Sequence, residues 1–181
     1  RRLRPVRALG VGTGQVESLT GFVHRLAHHH AMRPLEFVRT MAEAFGIESK
    51  AVRYGLQGQA SYSVNGTNQL AEEVARVLDI AAREPGHRRL AFLGCRDLFG
   101  RYARTLLAHR LAWCPQCCEE DGAEPYHRLL WAVRAVQVCP KHKVDLSDVC
   151  PRCGSPQNLL RRHPVWYHCS TCGVNLLALD G

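Results

Sequence analysis

Four two-ligand corners at one spacing dominate the second half of the chain: Cys114-Pro115-Gln116-Cys117, Cys139-Pro140-Lys141-His142, Cys150-Pro151-Arg152-Cys153 and Cys169-Ser170-Thr171-Cys172. Two intervening residues let a tight turn aim both side chains at one ion and leave backbone N–H groups free to bond the thiolates. Four such ligands close a tetrahedral Zn²⁺ site, with Zn–S near ~2.3 Å and Zn–N near ~2.0 Å. Three of the four corners carry Pro after the first ligand, which pre-sets φ for the turn.

Order along the chain suggests two structural zinc ions. The first set is Cys114, Cys117, Cys139 and His142. The second is Cys150, Cys153, Cys169 and Cys172, whose corners are separated as in a zinc ribbon or finger. Interleaved pairing is the alternative, because sequence does not fix which corners share an ion. A disulfide framework would need an oxidising compartment, and Arg1 to Gly10 is followed by no apolar signal segment. A catalytic zinc keeps a position open for water, whereas both sets here are fully protein-ligated. Cys118 and His168 neighbour ligands but break the two-residue gap, and Cys95, with no partner corner, reads as a small buried hydrophobe.

Charge divides the chain. The net charge is +8; residues 1–108 hold 16 Lys and Arg against 9 Asp and Glu, and residues 109–181 hold 8 against 7. Seven thiolates and two divalent ions would leave the second half near about −2, while the first stays basic. A basic half favours a polyanion, DNA or RNA backbone, as partner; a merely solvated surface is the simpler alternative. No stretch approaches the ~18 apolar residues of a membrane helix, so the expectation is a soluble protein of the bacterial cytoplasm.

The first half reads as helical. Arg1, Arg2, Arg4 and Arg7, then Gly10, Gly12 and Gly14, make a basic flexible arm over residues 1–16. Leu19, Phe22, Val23, Leu26 and Ala27 then recur at helical spacing behind a capping Ser18, and the His28–His30 run reads as polar surface. A second helix starts at Pro34 and ends at Gly46, and a third covers Glu48 to Leu56. Short helices joined by tight turns resemble a helix-turn-helix unit, with Arg33, Arg39, Lys50 and Arg53 placed to meet phosphates; a three-helix bundle used for protein contacts is the alternative. Gln57 to Thr67 reads as a loop. A fourth helix follows, capped by Thr67 or Asn68, and Leu90 to Leu111 reads as a helix with a break at Gly94 or Gly100. The expected fold is mainly α: a helix-turn-helix-like helical domain over residues 17–112, then tandem zinc-finger or ribbon modules with small β and loop elements over 113–181. Tyr126 to Trp131 should pack on the helices, because zinc modules alone hold little apolar material.

A family resemblance follows from these residues. Glu17-Ser18-Leu19, leading into Phe22-Val23-His24-Arg25-Leu26-Ala27, resembles the N-terminal signature of the TniQ/TnsD transposition proteins. Trp113-Cys114-Pro115-Gln116-Cys117 is similar to their first zinc corner, and Tyr126-His127-Arg128-Leu129-Leu130-Trp131, Val138-Cys139-Pro140-Lys141-His142 and Cys150-Pro151-Arg152-Cys153-Gly154 to the stretches that follow. The likeness runs from about Glu17 to Cys172. Because the chain stops soon after the second corner set, it looks most like the compact TniQ proteins of CRISPR-associated transposons. The resemblance implies a non-enzymatic adaptor in DNA integration. It would join a CRISPR effector with guide RNA, or target DNA itself, to a TnsC-type AAA+ ATPase. The runner-up is a TnsD-type selector that reads a DNA site without an effector. An enzyme is disfavoured: the chain shows no paired carboxylates in a cleft context, no Gly-rich phosphate loop before a helix and no open metal site.

Overall fold

The computed structural model describes residues 6–56, 58–99, 102–161, 163 and 165–177. The Arg1, Arg2 and Arg4 part of the arm, Gln57, and the expected break at Gly100 lie outside them.

Four helices build the first half: α1 (Leu19–His29), α2 (Pro34–Ala44), α3 (Lys50–Gly55) and α4 (Gln69–Ala82). Three start on a side-chain cap, where Ser18 accepts from Gly21 N–H, Ser49 from Val52 N–H and Asn68 from Ala71 N–H, satisfying N–H groups that the first turn leaves without partners. Helix α2 starts on Pro34 instead, which lacks an N–H to satisfy. Their apolar stripes meet in one core of Leu19, Phe22, Val23, Leu26, Phe37, Val38, Val74 and Leu78, all fully buried. Helix α3 is a turn and a half long and leaves Lys50, Arg53 and Tyr54 exposed.

Three sequence expectations change. Residues 6–16 are pinned rather than flexible. Val6 joins the core, Arg7 C=O accepts from Arg25, and Leu9 exchanges backbone and side-chain bonds with Glu17. The 57–67 loop contains a 3₁₀ run, Gly58–Asn65. It is anchored where the buried Asn65 amide accepts from Thr20 N–H and donates to the Thr20 hydroxyl, both at 3.0 Å.

The third change concerns Leu90 to Leu111, which is not one helix. It runs through 3₁₀ turns His87–Leu90 and Phe92–Cys95, then the single turns α5 (Arg96–Phe99) and α6 (Ala103–Leu106). Its apolar residues share no face, since Leu93 is buried while Leu98 is 83% exposed. After α6 the backbone leaves the helix to bond residues 132–134, with Ala108 N–H on Ala132 O and Arg134 N–H on Leu106 O. Cys95 is half-buried, not a core residue.

The second half carries a short helix, α7 (Pro115–Glu120), and a 3₁₀ turn, Leu129–Ala132. The expected β content reduces to six isolated antiparallel bridges among the described residues. Short turns, not strands, carry the ligands. Helix α1 and the second half are joined directly: Ser18 N–H donates to His127 O at 2.7 Å and Leu129 N–H to Val16 O at 2.8 Å. A Cβ on Gly21 would stand 3.0 Å from His127 Cβ, so glycine lets the two backbones approach. The expected packing of Tyr126 to Trp131 on the helices is only partly met: His127 and Leu129 bond residues 16–18, but Trp131 joins the cluster around the cysteines, and it is Leu160 that enters the helical core.

Candidate metal centres

Two sets of four side chains converge, Cys114, Cys117, Cys139 and His142 in one and Cys150, Cys153, Cys169 and Cys172 in the other, each with its ligand atoms within 4.8 Å of one another. The sequential pairing holds and the interleaved one does not. Two thiolates at ~2.3 Å from one tetrahedral ion stand about 3.8 Å apart. The Cys117–Cys139, Cys150–Cys172 and Cys153–Cys169 sulfurs are separated by 3.6, 3.7 and 3.7 Å. His142 turns Nδ1 into the first set, 3.4, 3.3 and 3.7 Å from the sulfurs of Cys114, Cys117 and Cys139. These separations suit a shared ion and are far from the ~2.05 Å of a disulfide.

Local sequence explains the corners. At Cys139, Cys150 and Cys169 the same turn recurs: the first cysteine donates to the carbonyl five residues on, and its own carbonyl accepts from the N–H four residues on. The fourth residue after the cysteine is left-handed in each, Lys143 at φ 60°, Gly154 at 67° and Gly173 at 75°. Glycine adopts that region without steric cost; Lys143 occupies it against preference. The Cys114 corner differs, because Pro115 starts α7 and places Cys117 on its first turn.

Electrostatics prepare both sets for an ion. Burial opposes ionisation of Cys139 and Cys169, yet backbone N–H bonds from the following residues outweigh it and bring the thiols to about 7 and about 6. Cys169 also accepts from the Gln157 amide at 3.4 Å. Desolvation pushes Cys117 up to about 12, so proton release there depends on the ion itself. Glu120 accepts from His142 Nε2 at 3.0 Å and also pairs with Lys141. That contact fixes the ring with Nδ1 directed inward, the usual arrangement behind a metal-bound histidine. No protein-free coordination position is built into either set, so the arrangement suits folding rather than chemistry on a bound substrate. Cys118, adjacent to Cys117, is buried outside the set.

The joint between the halves is made by Ser18, which the sequence marks only as a helix cap, and by His127 of the Tyr126–Trp131 stretch. His127 Nε2–H donates to Ala112 O at 3.1 Å, which leaves Nδ1 to accept from the Ser18 hydroxyl at 2.7 Å. Burial depresses this imidazole to about 3, so it is neutral. Arg128 grips Asp121 through two bonds of 2.6 and 2.7 Å, with its guanidinium 4.1 Å from the Tyr126 ring centroid and 4.8 Å from that of Trp131. Glu17 holds Arg25 in the same two-pronged way, at 2.8 Å on both sides. These pairs are buried; Glu17, Arg25 and Arg128 fall in the stretches of the resemblance, and Asp121 does not.

The four basic residues singled out for nucleic acid divide. Arg33 and Arg39 line a cleft of about 910 Å³ between α2 and the second metal set. Arg39 also lines a smaller one of about 250 Å³ with Arg53, and donates to Arg53 O. Lys50 is exposed on α3 and lines neither. Arg161, also in the larger cleft, was not singled out; its position in the apolar run Leu159-Leu160-Arg161 was the available signal.

Fold and sites define a mainly helical protein with a second module built around two closed sets of four side chains that could each hold a metal ion. The family model TniQ matches residues 8–146, and the chain belongs to the TniQ family, whose members are transposition-associated, non-catalytic target-selection proteins. The matched segment takes in α1 to α4, the Ser18–His127 joint and the first metal set, and stops short of the second. No curated protein matched the chain.

Proposed function

We propose that this chain is a non-enzymatic adaptor of the bacterial cytoplasm, bridging a target-recognition complex to a TnsC-type AAA+ ATPase during transposon target selection. Two Zn²⁺ ions fill its metal centres, since sulfur-rich tetrahedral sets suit zinc. The target-recognition complex is a CRISPR effector with guide RNA, as in the compact TniQ proteins, or target DNA itself. The TniQ match over residues 8–146 carries this reading. The closed metal sets support it, because a rigid block with no open coordination site suits binding rather than turnover. In the described residues no helix is long and apolar enough to cross a membrane.

Arg33, Arg39, Lys50 and Arg53 are the proposed contacts to nucleic-acid backbone. Autonomous reading of a DNA sequence is the weaker alternative. It requires a helix presenting several side chains along the major groove, and α3 has only six residues. The test is reconstitution of purified chain, ATPase and target DNA, with and without effector and guide RNA. The expected result is that the ATPase is retained at the target only when the chain is present. Absence of any association, with undiminished transposition lacking the chain, overturns the proposal.

A further inference from the structure

Among the described residues, the guanidinium of Arg161 has a buried edge with no partner. Arg161 is 4% exposed, yet its Nε and Nη2 have no hydrogen-bond partner. Those two nitrogens form the side edge of the guanidinium, whose parallel N–H bonds match two oxygens of one phosphate or carboxylate. In the same protein Arg25 uses that edge, Nε and Nη2, to hold both oxygens of Glu17 at 2.8 Å.

Arg161 is also held in place. Its remaining nitrogen, Nη1, donates to Gln157 Oε1 at 2.6 Å and to the His168 backbone carbonyl at 2.7 Å. Gln157 in turn donates to the Cys169 sulfur. The fork is therefore fixed to the second metal centre and need not be ordered when a ligand arrives.

The walls of the cleft add to this. Arg161 shares it with Arg33 and Arg39, and Arg39 has a second buried nitrogen, Nε, without a partner. Glu36 and Glu43 line the same cleft, so the positive field is local. A discrete group seated on the guanidiniums fits this better than diffuse attraction along a charged face. The cleft residue Arg39 leads on to Arg53 in the neighbouring hollow. A run of arginines in that order suits repeated charges along a strand, and the net charge of +8 draws in a polyanion.

We infer that the cleft between α2 and the second metal centre is a phosphate seat, in which Arg161, Arg39 and Arg33 hold a backbone phosphate of a bound nucleic acid. The inference rests on the reading that the chain meets nucleic acid, and it specifies where one phosphate is held. The free source of the same chemistry is inorganic phosphate. An acidic protein segment is the other macromolecule that could supply an oxyanion.

The test uses the full zinc-loaded chain with labelled single-stranded RNA and duplex DNA, titrated by fluorescence anisotropy at several salt concentrations. Competition with inorganic phosphate and with a poly-glutamate peptide forms separate arms. Arg33→Gln with Arg39→Gln is compared with a charge-matched control, Arg76→Gln with Arg88→Gln, whose side chains are 53% and 59% exposed elsewhere. The cleft pair should weaken binding by about tenfold or more and lower the salt slope by about one to two. The control pair should move affinity far less. Arg161→Lys, which keeps charge but loses the fork, should weaken binding at a temperature where circular dichroism shows the variant folded.

Equal binding by the cleft pair and the control overturns the phosphate seat and leaves the adaptor reading standing. Failure of the unaltered chain to bind either nucleic acid overturns the seat together with the nucleic-acid contacts it rests on. Displacement by poly-glutamate, with no dependence of oligonucleotide binding on the cleft arginines, assigns the cleft to a protein and overturns the seat. Protection by inorganic phosphate alone, without oligonucleotide binding in the cleft, does the same.

Discussion

The two halves are held together from the inside in different ways. The helical half is closed by aliphatic and aromatic side chains contributed by all four of its longer helices. In the second half the buried cluster is Leu111, Trp113, Trp131, Leu159, Trp166 and Leu176 with six cysteines, five of them in the sets that could hold a metal ion. There the candidate ligands are part of the core, and among the described residues no strand supports them. The first half should therefore tolerate loss of the ions. The second should not, because its metal-binding free energy is also its folding free energy.

The largest effect expected from one residue is at the ligands. Cys139→Ser or Cys169→Ser should release an ion and unfold the surrounding turns, since a structural Zn²⁺ contributes on the order of 10 kcal/mol. Near-ultraviolet circular dichroism of the tryptophans Trp113, Trp131 and Trp166 should collapse, while most far-ultraviolet helical signal persists. Retention of both signals, with two ions bound, would contradict the contrast.

Next comes the apolar core. Phe22→Ala should cost about 3–5 kcal/mol in denaturant unfolding, without reducing the number of ions bound. A loss of metal in this variant would mean that the halves do not differ as described.

The joint between them should respond to pH. His127 has a folded pKa of about 3, below its ordinary 6.5. The unfolded state therefore takes up a proton that the folded state refuses as pH falls. Stability from this group is complete above about 6.5 and is lost toward pH 3, at up to ~1.4 kcal/mol per pH unit. Metal release adds loss in the same direction, so the comparison is with His127→Gln at saturating zinc. The variant should show a shallower slope of unfolding free energy between pH 6 and 4. Identical slopes would sink the assignment of a buried neutral imidazole.

The smallest effect belongs to Glu120→Gln. It should weaken ion retention in the first set by roughly tenfold, at the low end for a group behind a metal-bound histidine because Glu120 is half exposed. The second set should be unaffected in a chelator competition.

The two halves were also unequally legible in sequence. Ligand identity could be read because two-residue spacing leaves little choice of geometry, and α1, α2 and α4 because caps and 3.6-residue periodicity agree. Leu90 to Leu111 misled because its apolar density suggested a helix, whereas the backbone there is recruited to bond residues 132–134. Residues 6–16 looked flexible by composition, but Glu17 and Arg25 fasten them. The Ser18–His127 joint and the unpartnered edge of Arg161 depend on residues more than a hundred positions apart, or on the absence of a neighbour. Local pattern encodes neither.

The most direct measurement combines native mass spectrometry with hydrogen exchange before and after chelation. Two bound zinc ions per chain are expected. On their removal, amide protection should vanish across residues 113–177 and survive in α1, α2 and α4. A chain that binds fewer than two ions, or keeps its protection around Cys139 and Cys169 without them, would contradict the account of a metal-built module fused to a self-sufficient helical one.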